Sequence, residues 1–350
     1  MPLKVSVIGA GWFGAQNHIP VLARRPEVVL DGVCRLGVAE LERVRAHFGF
    51  PFASEDYREV LARRPDAVVI STPHHLHYEQ TCAALAAGCH VMVEKPMTLD
   101  PAQAWDLVAR AEAAGRHLVV ANGYHYLPHL DSIREALAQG AVGTIEHVLC
   151  TFVSATRAVF EGDVGMKRWE TTFFRPDVST WQAPGQGGGF AFGQMSHSIA
   201  MLLLLTGLDP VAVCGRTVSK DGVDLCDAAV VRFANGAVAA LSGAAAMPEG
   251  ERGMLRFVIT GSQGVMELEF DRDRAVLRRL DGGRRGWDVA PGAWVYGCEG
   301  PVNALVDLAL GHGTNRSPGT LGAATVSMIA ALLASAGEGG REVPLVGALS

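Results

Sequence analysis

The chain has 350 residues, more than one ordinary domain needs and suited to two. Hydrophobic residues make up 49% and charged residues 19%, which excludes a globally disordered chain. The formal net charge is −6 and no basic arm or stripe offsets it, which excludes a nucleic-acid partner.

The N-terminus "MPLKVSVIGAGWFG" begins a strand at once and carries no signal-peptide pattern, so a cytoplasmic location is expected. An apolar strand over 3–8 runs into a glycine-rich turn and then a helix. A second strand spans 27–35, and "GVAELERVRAHFG" (37–49) is helical by period. "YREVLARR" is a short helix and "PDAVVISTP" a buried strand. "HYEQTCAALAAG" (77–88) is a helix stopped by Gly88, and the strand 90–94 follows. "DPAQAWDLVARAEAAG" (100–115) has Asp100 as N-cap and Pro101 in the first turn. "HLVVAN" (117–122) closes the series. Unalternating strands between helices predict a doubly wound parallel sheet, a Rossmann domain over 1–122.

The pattern then changes. Strands are expected near 145–156, 211–218, 226–233, 237–245, 254–260, 265–270 and 275–280, with turn signals such as Asn235-Gly236 between several. Helices are expected near 192–206, 301–310 and 319–336. This predicts a second α/β domain, 123–350, with a large, mostly antiparallel open sheet. The Arg-dense stretch 271–286 alternates with acids and glycine and reads as a solvated hairpin. Residues 178–208 contain no Asp, Glu, Lys or Arg, but the continuous apolar part "IAMLLLL" is too short to span a bilayer. The seven cysteines are scattered and lack a CxxC pair, so they read as small buried hydrophobes.

Three motifs carry chemistry. Gly9-Ala10-Gly11-Trp12-Phe13-Gly14 fits G-x-G-x-x-G between a strand and a helix, the setting of a dinucleotide pyrophosphate site. An acidic residue for the ribose is expected at the end of the second strand, yet Arg35 stands there and Asp31 comes too early. A guanidinium suits a 2′-phosphate, so NADP is favoured over NAD. Glu94-Lys95-Pro96 ends a buried strand, at the rim where ligands of open α/β sheets bind. Only four lysines occur against 26 arginines, and Lys, unlike Arg, can release a proton. Lys95 is therefore the catalytic candidate. His197 is the one formally titratable group of the stretch 178–208.

In order and spacing these pieces resemble the Gfo/Idh/MocA family of NAD(P)-dependent oxidoreductases, from near residue 3 to about 346. The matching segments include "VIGAGWFG", "DAVVISTPHHLHYEQTCAALAAGCHVMVEKP", "GTIEHV", Gly187-Gly188-Gly189 ahead of His197, "RFANGAVAAL" and "ITGSQGVMEL". The resemblance implies a secondary alcohol of a sugar, inositol or related polyol as substrate. It also implies a homodimer or homotetramer through the C-terminal sheet. Lys95 would touch both cofactor and substrate, its bond to Pro96 often being cis, and His197 would share the proton work. Thr72, Pro73, His77 and Glu94 would join the glycine loop at the cofactor. Family members usually carry an Asp four residues before the His; here Gly193 stands there, with Gln194 beside it. Gln194, Tyr126, Trp169 and, more weakly, His125, Lys167 and Trp181 are substrate-side candidates, with ordinary packing as the alternative. His74, His75 and His77 lack a carboxylate or Cys to complete a set, so no metal is expected. Two alternatives stay open: a member that retains its cofactor and cleaves or epimerises a glycoside, and a ligand sensor without catalysis.

Overall fold

In the computed structural model, residues 2–163, 173–175 and 177–345 are described. The chain forms two compact units. The first contains Met1–Gly123, Gly297–Ala323 and the described residues of Val164–Thr180; the second contains Tyr124–Asp163, Trp181–Tyr296 and Ala324–Ser350 as far as described. The predicted cut at 122 falls one residue from the first boundary, but the late segment from 297 joins the first unit rather than the second. Packing explains this, as shown below.

The strands of the first unit are β1 (Leu3–Ile8), β2 (Val28–Cys34), β3 (Phe52–Ser54), β4 (Ala67–Ile70), β5 (His90–Val93) and β6 (Leu118–Val120). They form a six-stranded sheet of order β3-β2-β1-β4-β5-β6, parallel throughout. Strand order reverses between β1 and β4, the crevice where such sheets bind ligands. Helices α1 (Ile19–Ala23), α2 (Val38–Phe48), α3 (Tyr57–Ala62), α4 (His77–Ala86) and α5 (Pro101–Ala113) connect the strands. Asp56 and Asp100 accept from backbone N–H groups at the starts of α3 and α5, satisfying donors the helices leave unpaired.

The second unit opens with α6 (Leu130–Ala138), β7 (Ile145–Val153) and α7 (Arg157–Phe160). The short α8 (Ser179–Gln182) precedes α9 (Ser196–Thr206). Strands β8 (Pro210–Lys220), β9 (Val223–Phe233), β10 (Val238–Ala244), β11 (Met254–Gly261), β12 (Gly264–Glu269), β13 (Arg274–Arg279) and β14 (Arg284–Trp287) follow. α10 (Glu299–Ala309), of the first unit, comes next, then α11 (Gly319–Gly337) and β15 (Val343–Pro344). The nine-stranded sheet has the order β14-β13-β12-β11-β7-β10-β9-β8-β15 and is antiparallel except for β7 against β10. β13 and β14 make the hairpin expected at 271–286.

Burial alternates along β9 and β11, so one face of this sheet is covered and the other open. α9 lies on the covered side, against β7 and α6, and is buried from Ser196 to Leu205. Two stretches, Pro184–Thr206 and Gly319–Gly337, are long and apolar enough in composition to cross a membrane. Their most apolar windows are 89% and 67% buried inside the protein, as a core helix's would be. The first is longer than "IAMLLLL" because turns upstream of α9 extend the helical run.

α10 shows why the late segment belongs with the first unit. Its Val302, Leu305 and Val306 are fully buried in one core with Val5, Val7, Met92 and Val119. Burying each such side chain stabilises by about 1.5–3 kcal/mol. The cysteines are all free; Cys34, Cys89 and Cys150 are buried and the other four half-buried.

Candidate functional site

The glycine loop sits at the carboxyl end of β1. Gly9 has φ +93°, and a Cβ there would lie 2.5 Å from the Thr72 backbone nitrogen. Only glycine fits, because Thr72 leaves β4 directly alongside. A Cβ at Gly14 would meet Ser71 Oγ at 2.5 Å, so the second turn is equally tight. At Gly11 a Cβ would meet no protein atom within 4 Å. Two glycines are thus demanded by neighbouring chain, and Gly11 keeps the loop's backbone approachable. That division suits a pyrophosphate cradled by backbone N–H groups.

The helix after the loop starts as a π-turn, Gly14–His18, in which the Ile19 N–H donates to Gly14 O. Pro20 follows inside the first turn of α1 and has no N–H to donate. The turn therefore widens before the α-helix begins.

Arg35 lies just beyond β2. Its Nε donates to Leu36 O at 3.0 Å and its Nη1 to Ala10 O at 3.4 Å, so it borders the glycine loop. Its guanidinium stacks 4.2 Å from the Phe174 ring centroid. Asp31 is already engaged, in a two-pronged pair with Arg63 at 2.9 and 2.7 Å.

At the ends of β4 and β5 the expected residues gather. Thr72 Oγ1 donates to Gln80 at 2.6 Å. Pro73 leads into the 3₁₀ turn His74–Leu76. His77 is fully buried; Nδ1 is 2.8 Å from Pro96 O and Nε2 2.8 Å from Thr72 O. Burial pushes its imidazole down, while the two carbonyls and Glu94 pull it up. The ring thus sits between the β4 loop and the β5 loop, one nitrogen facing each carbonyl.

The Lys95–Pro96 bond is cis. Glu94, 8% exposed, accepts from the Lys95 N–H at 3.0 Å and contacts His18 at 2.8 Å. Burial pushes the Lys95 amine below its ordinary value, while the Glu94 charge and Cys298 act the other way. An amine so placed exchanges its proton more readily than a solvated lysine.

Within the second unit, His197 lies in the first turn of α9 and is 7% exposed. Its ring is surrounded edge-on by Tyr296 at 5.1 Å, Tyr124 at 5.7 Å and Phe152 at 6.3 Å. Burial pushes Tyr124 up to about 12, so its hydroxyl stays a proton donor. Tyr124 and Tyr296, against the His197 ring, are not among the residues that the sequence singles out. Only position in the fold distinguishes the tyrosines. His125 is 1% exposed, and Gln194 is half-buried in the π-turn Ala191–Met195 ahead of α9. Trp169 and Lys167 lie outside the described residues. Trp181 stacks at 6.1 Å on Phe160 and accepts the Gly189 N–H at 3.2 Å, which are packing roles.

Gly193 stands where the resemblance leads one to expect an Asp. A Cβ there would lie 2.9 Å from Phe160 Cζ. Carboxylates reach this region from β9 instead. Asp224 accepts from the Ala191 N–H at 2.6 Å and fills the space over Gly189, whose φ is +104°. It holds the start of the run leading into α9. Asp227, 2% exposed, lies beside it; burial and the Asp224 charge push its carboxyl up to about 9. A native value above the unfolded value of about 3.9 means that the fold holds a proton the unfolded chain releases. The stability this confers is complete below about pH 4 and is lost as pH rises toward 9. Asp227→Asn is therefore expected to stabilise by at least ~1 kcal/mol at pH 8 and much less at pH 5. Urea midpoints at the two pH values test this, and an equal or reversed effect removes the buried charge as the cause.

Comparison with known proteins matches these features. A family model described as "Oxidoreductase family, NAD-binding Rossmann fold" matches residues 3–122, and the GFO/IDH/MocA C-terminal domain matches 130–267. The chain is a member of the Gfo/Idh/MocA oxidoreductase family. It is 33% identical over 161 residues to D-glucoside 3-dehydrogenase of Escherichia coli, covering 45% of this chain and 44% of that one. It is 28% identical over 208 residues to 1,5-anhydro-D-fructose reductase of Ensifer adhaerens, covering 57% and 55%. The chain thus spans about half the length of the curated relatives it matches. Among solved structures, levoglucosan dehydrogenase in complex with NADH and levoglucosan superposes with TM-score 0.80 at 21% identity, covering 99% of this chain and 100% of that one. GenD2 from gentamicin A biosynthesis, in complex with NAD, gives 0.78 at 24%, covering 99% and 97%. At these identities the structural likeness establishes the fold.

Proposed function

We propose that the protein is an NAD(P)-dependent dehydrogenase or reductase acting on a secondary alcohol, or the matching ketone, of a sugar, inositol or related polyol. One observation carries it: a half-buried lysine, its backbone N–H on the Glu94 carboxylate, at the carboxyl end of β5 in the same sheet as a glycine cradle fitted for a dinucleotide; desolvation also lowers its amine. The sugar-related names of the relatives support the substrate class. The nicotinamide, when bound, takes or gives the hydride. Gly9, Gly11, Trp12, Phe13, Gly14, Thr72, Pro73, Glu94 and Lys95 are the residues assigned to hold the cofactor. Lys95 accepts or returns the alcohol proton. By the family resemblance His197 is the second group assigned to the alcohol proton, with Gln194 and Tyr126 as substrate-side candidates. The test is a panel of sugars and polyols assayed with NAD and NADP by nicotinamide absorbance. A panel with no turnover in either direction, in protein shown to bind the cofactor, refutes the reading.

The cofactor preference rests on Arg35. It borders the glycine loop, and Asp31 is spent on Arg63. NADP is expected to bind at least as well as NAD. Arg35→Ala is expected to weaken NADP by roughly 10–100-fold, the worth of a charge-assisted phosphate contact, and leave NAD nearly unchanged. Wild-type protein binding NAD far more tightly than NADP refutes this assignment.

The open face of the large sheet supports self-association. Val230, Ala240, Leu149 and Val258 form one cross-strand row, with Val230 and Leu149 exposed by 53% and 43%. A second copy covering this face would give the homodimer or homotetramer that the family resemblance implies. Light scattering should report more than one protomer, and Leu149→Glu should shift the mass toward a monomer. A monomeric wild type rejects this part of the proposal.

A further inference from the structure

The functional reading leaves one buried contact unused. His18 closes the π-turn after the glycine loop and is 1% exposed. Its Nε2 lies 2.8 Å from Glu94 Oε1, although 76 residues separate the two in sequence. Glu94 Oε2 takes the Lys95 N–H at 3.0 Å. Both carboxylate oxygens are therefore held, one by a ring and one by the backbone of the lysine. Phe13, from the glycine loop itself, packs edge-on against the His18 ring at 5.3 Å. His18 Nδ1 is buried and faces no hydrogen-bond partner. Nε2 donates to the carboxylate oxygen.

We propose that His18 is a positioning residue for Lys95, acting through Glu94. Its donor keeps the Glu94 carboxylate beside the lysine in a fixed orientation, and Phe13 ties that orientation to the loop assigned to the cofactor. The proposal rests on Lys95 as the proton-handling group.

The charges around the chain of contacts set the direction of the effect. Glu94 is faced by His18 from the π-turn, by His77 from α4 and by Lys95 from its own loop; Lys95 is faced by Glu94 and by Cys298 at the start of α10. Without His18 the Glu94 carboxylate loses the contact that fixes Oε1 and is no longer held beside the lysine. Its charge no longer favours the ammonium form, so the Lys95 amine becomes neutral at lower pH.

The experiment is competitive labelling of the Lys95 amine with an acylating reagent across pH, read by mass spectrometry on cofactor-free protein. Wild type, His18→Met, His18→Gln and Glu94→Gln are compared, alongside pH profiles of kcat/KM. The labelling midpoint is expected to fall by ~0.5–1 pH unit in His18→Met, within the range by which one opposite charge moves an amine. Roughly 3–10-fold faster labelling follows below both midpoints. The kcat/KM profile should move the same way, and His18→Gln, which keeps a donor, should restore most of the shift. Glu94→Gln should shift labelling at least as far. A folded His18→Met with wild-type midpoint and profile overturns the proposal. Should that variant not fold, an unshifted Glu94→Gln overturns it, because His18 acts only through that carboxylate. The labelling is independent of turnover. If Lys95 proves dispensable for activity, the functional reading fails while the labelling result still decides the His18 contact.

Discussion

Lys95→Arg is expected to fold, to bind cofactor and to lose at least ~10²-fold in turnover, the usual worth of one positioned acid–base group. The substitution keeps the positive charge and most of the side-chain length. It removes the ability to be neutral: a guanidinium does not give up its proton in a protein, whereas burial already pushes this amine below its ordinary value. The sign also fixes a pH dependence. On the proposed role Lys95 accepts a proton in the oxidative direction, which makes the neutral amine the active form. The rate should rise with pH through a value below the ~10.4 of a solvated lysine. Stopped-flow turnover and cofactor titration of the variant separate chemistry from binding. Near-normal turnover in Lys95→Arg takes Lys95 out of the reaction and with it the main support for the assigned activity.

Local features were legible because each is fixed over a few residues. The parallel order of the first sheet follows from unalternating strands between helices, and the glycine loop from its spacing against one strand and one helix. Glu94-Lys95-Pro96 was legible as chemistry because charges at the end of a buried strand need a reason, and because lysine is so scarce. What stayed hidden is joined only through the fold. α10 has an amphipathic pattern, but nothing in it says which sheet it will cover. His18 and Glu94 are distant in sequence, and nothing in the pattern pairs a lone histidine two residues before Pro20 with the end of β5. That the His77 ring faces two loop carbonyls is likewise visible only in the fold. Tyr124 and Tyr126 are alike in sequence, and only the path of the backbone decides which ring meets His197. Gly193 looked like a lost carboxylate, with no sign of what had filled the space.

The answer at Gly193 gives the second large effect. Phe160 is 3% exposed, and its ring lies among Trp181 at 6.1 Å and Phe190 at 6.4 Å. A Cβ added at Gly193 would stand 2.9 Å from Phe160 Cζ and 3.1 Å from Cε1. The ring has other aromatics beside it, so yielding means repacking the cluster. Overpacking of this kind costs about 1–3 kcal/mol before any charge is considered. An aspartate adds the desolvation of a carboxylate against aromatic carbon. Gly193→Asp, which restores the usual family residue, is therefore expected to lower stability by at least ~2 kcal/mol and to give no gain in turnover. Phe160→Ala alone should cost ~3–5 kcal/mol through the cavity it leaves. In the double variant the aspartate enters that cavity, so the two losses should fall short of additive by at least ~1 kcal/mol. Chemical denaturation of the four proteins measures the coupling. Strict additivity, or a Gly193→Asp protein as stable as wild type, shows that Phe160 does not exclude the carboxylate. A rise in turnover in the single variant shows that its loss was a loss of catalysis rather than an exchange for packing.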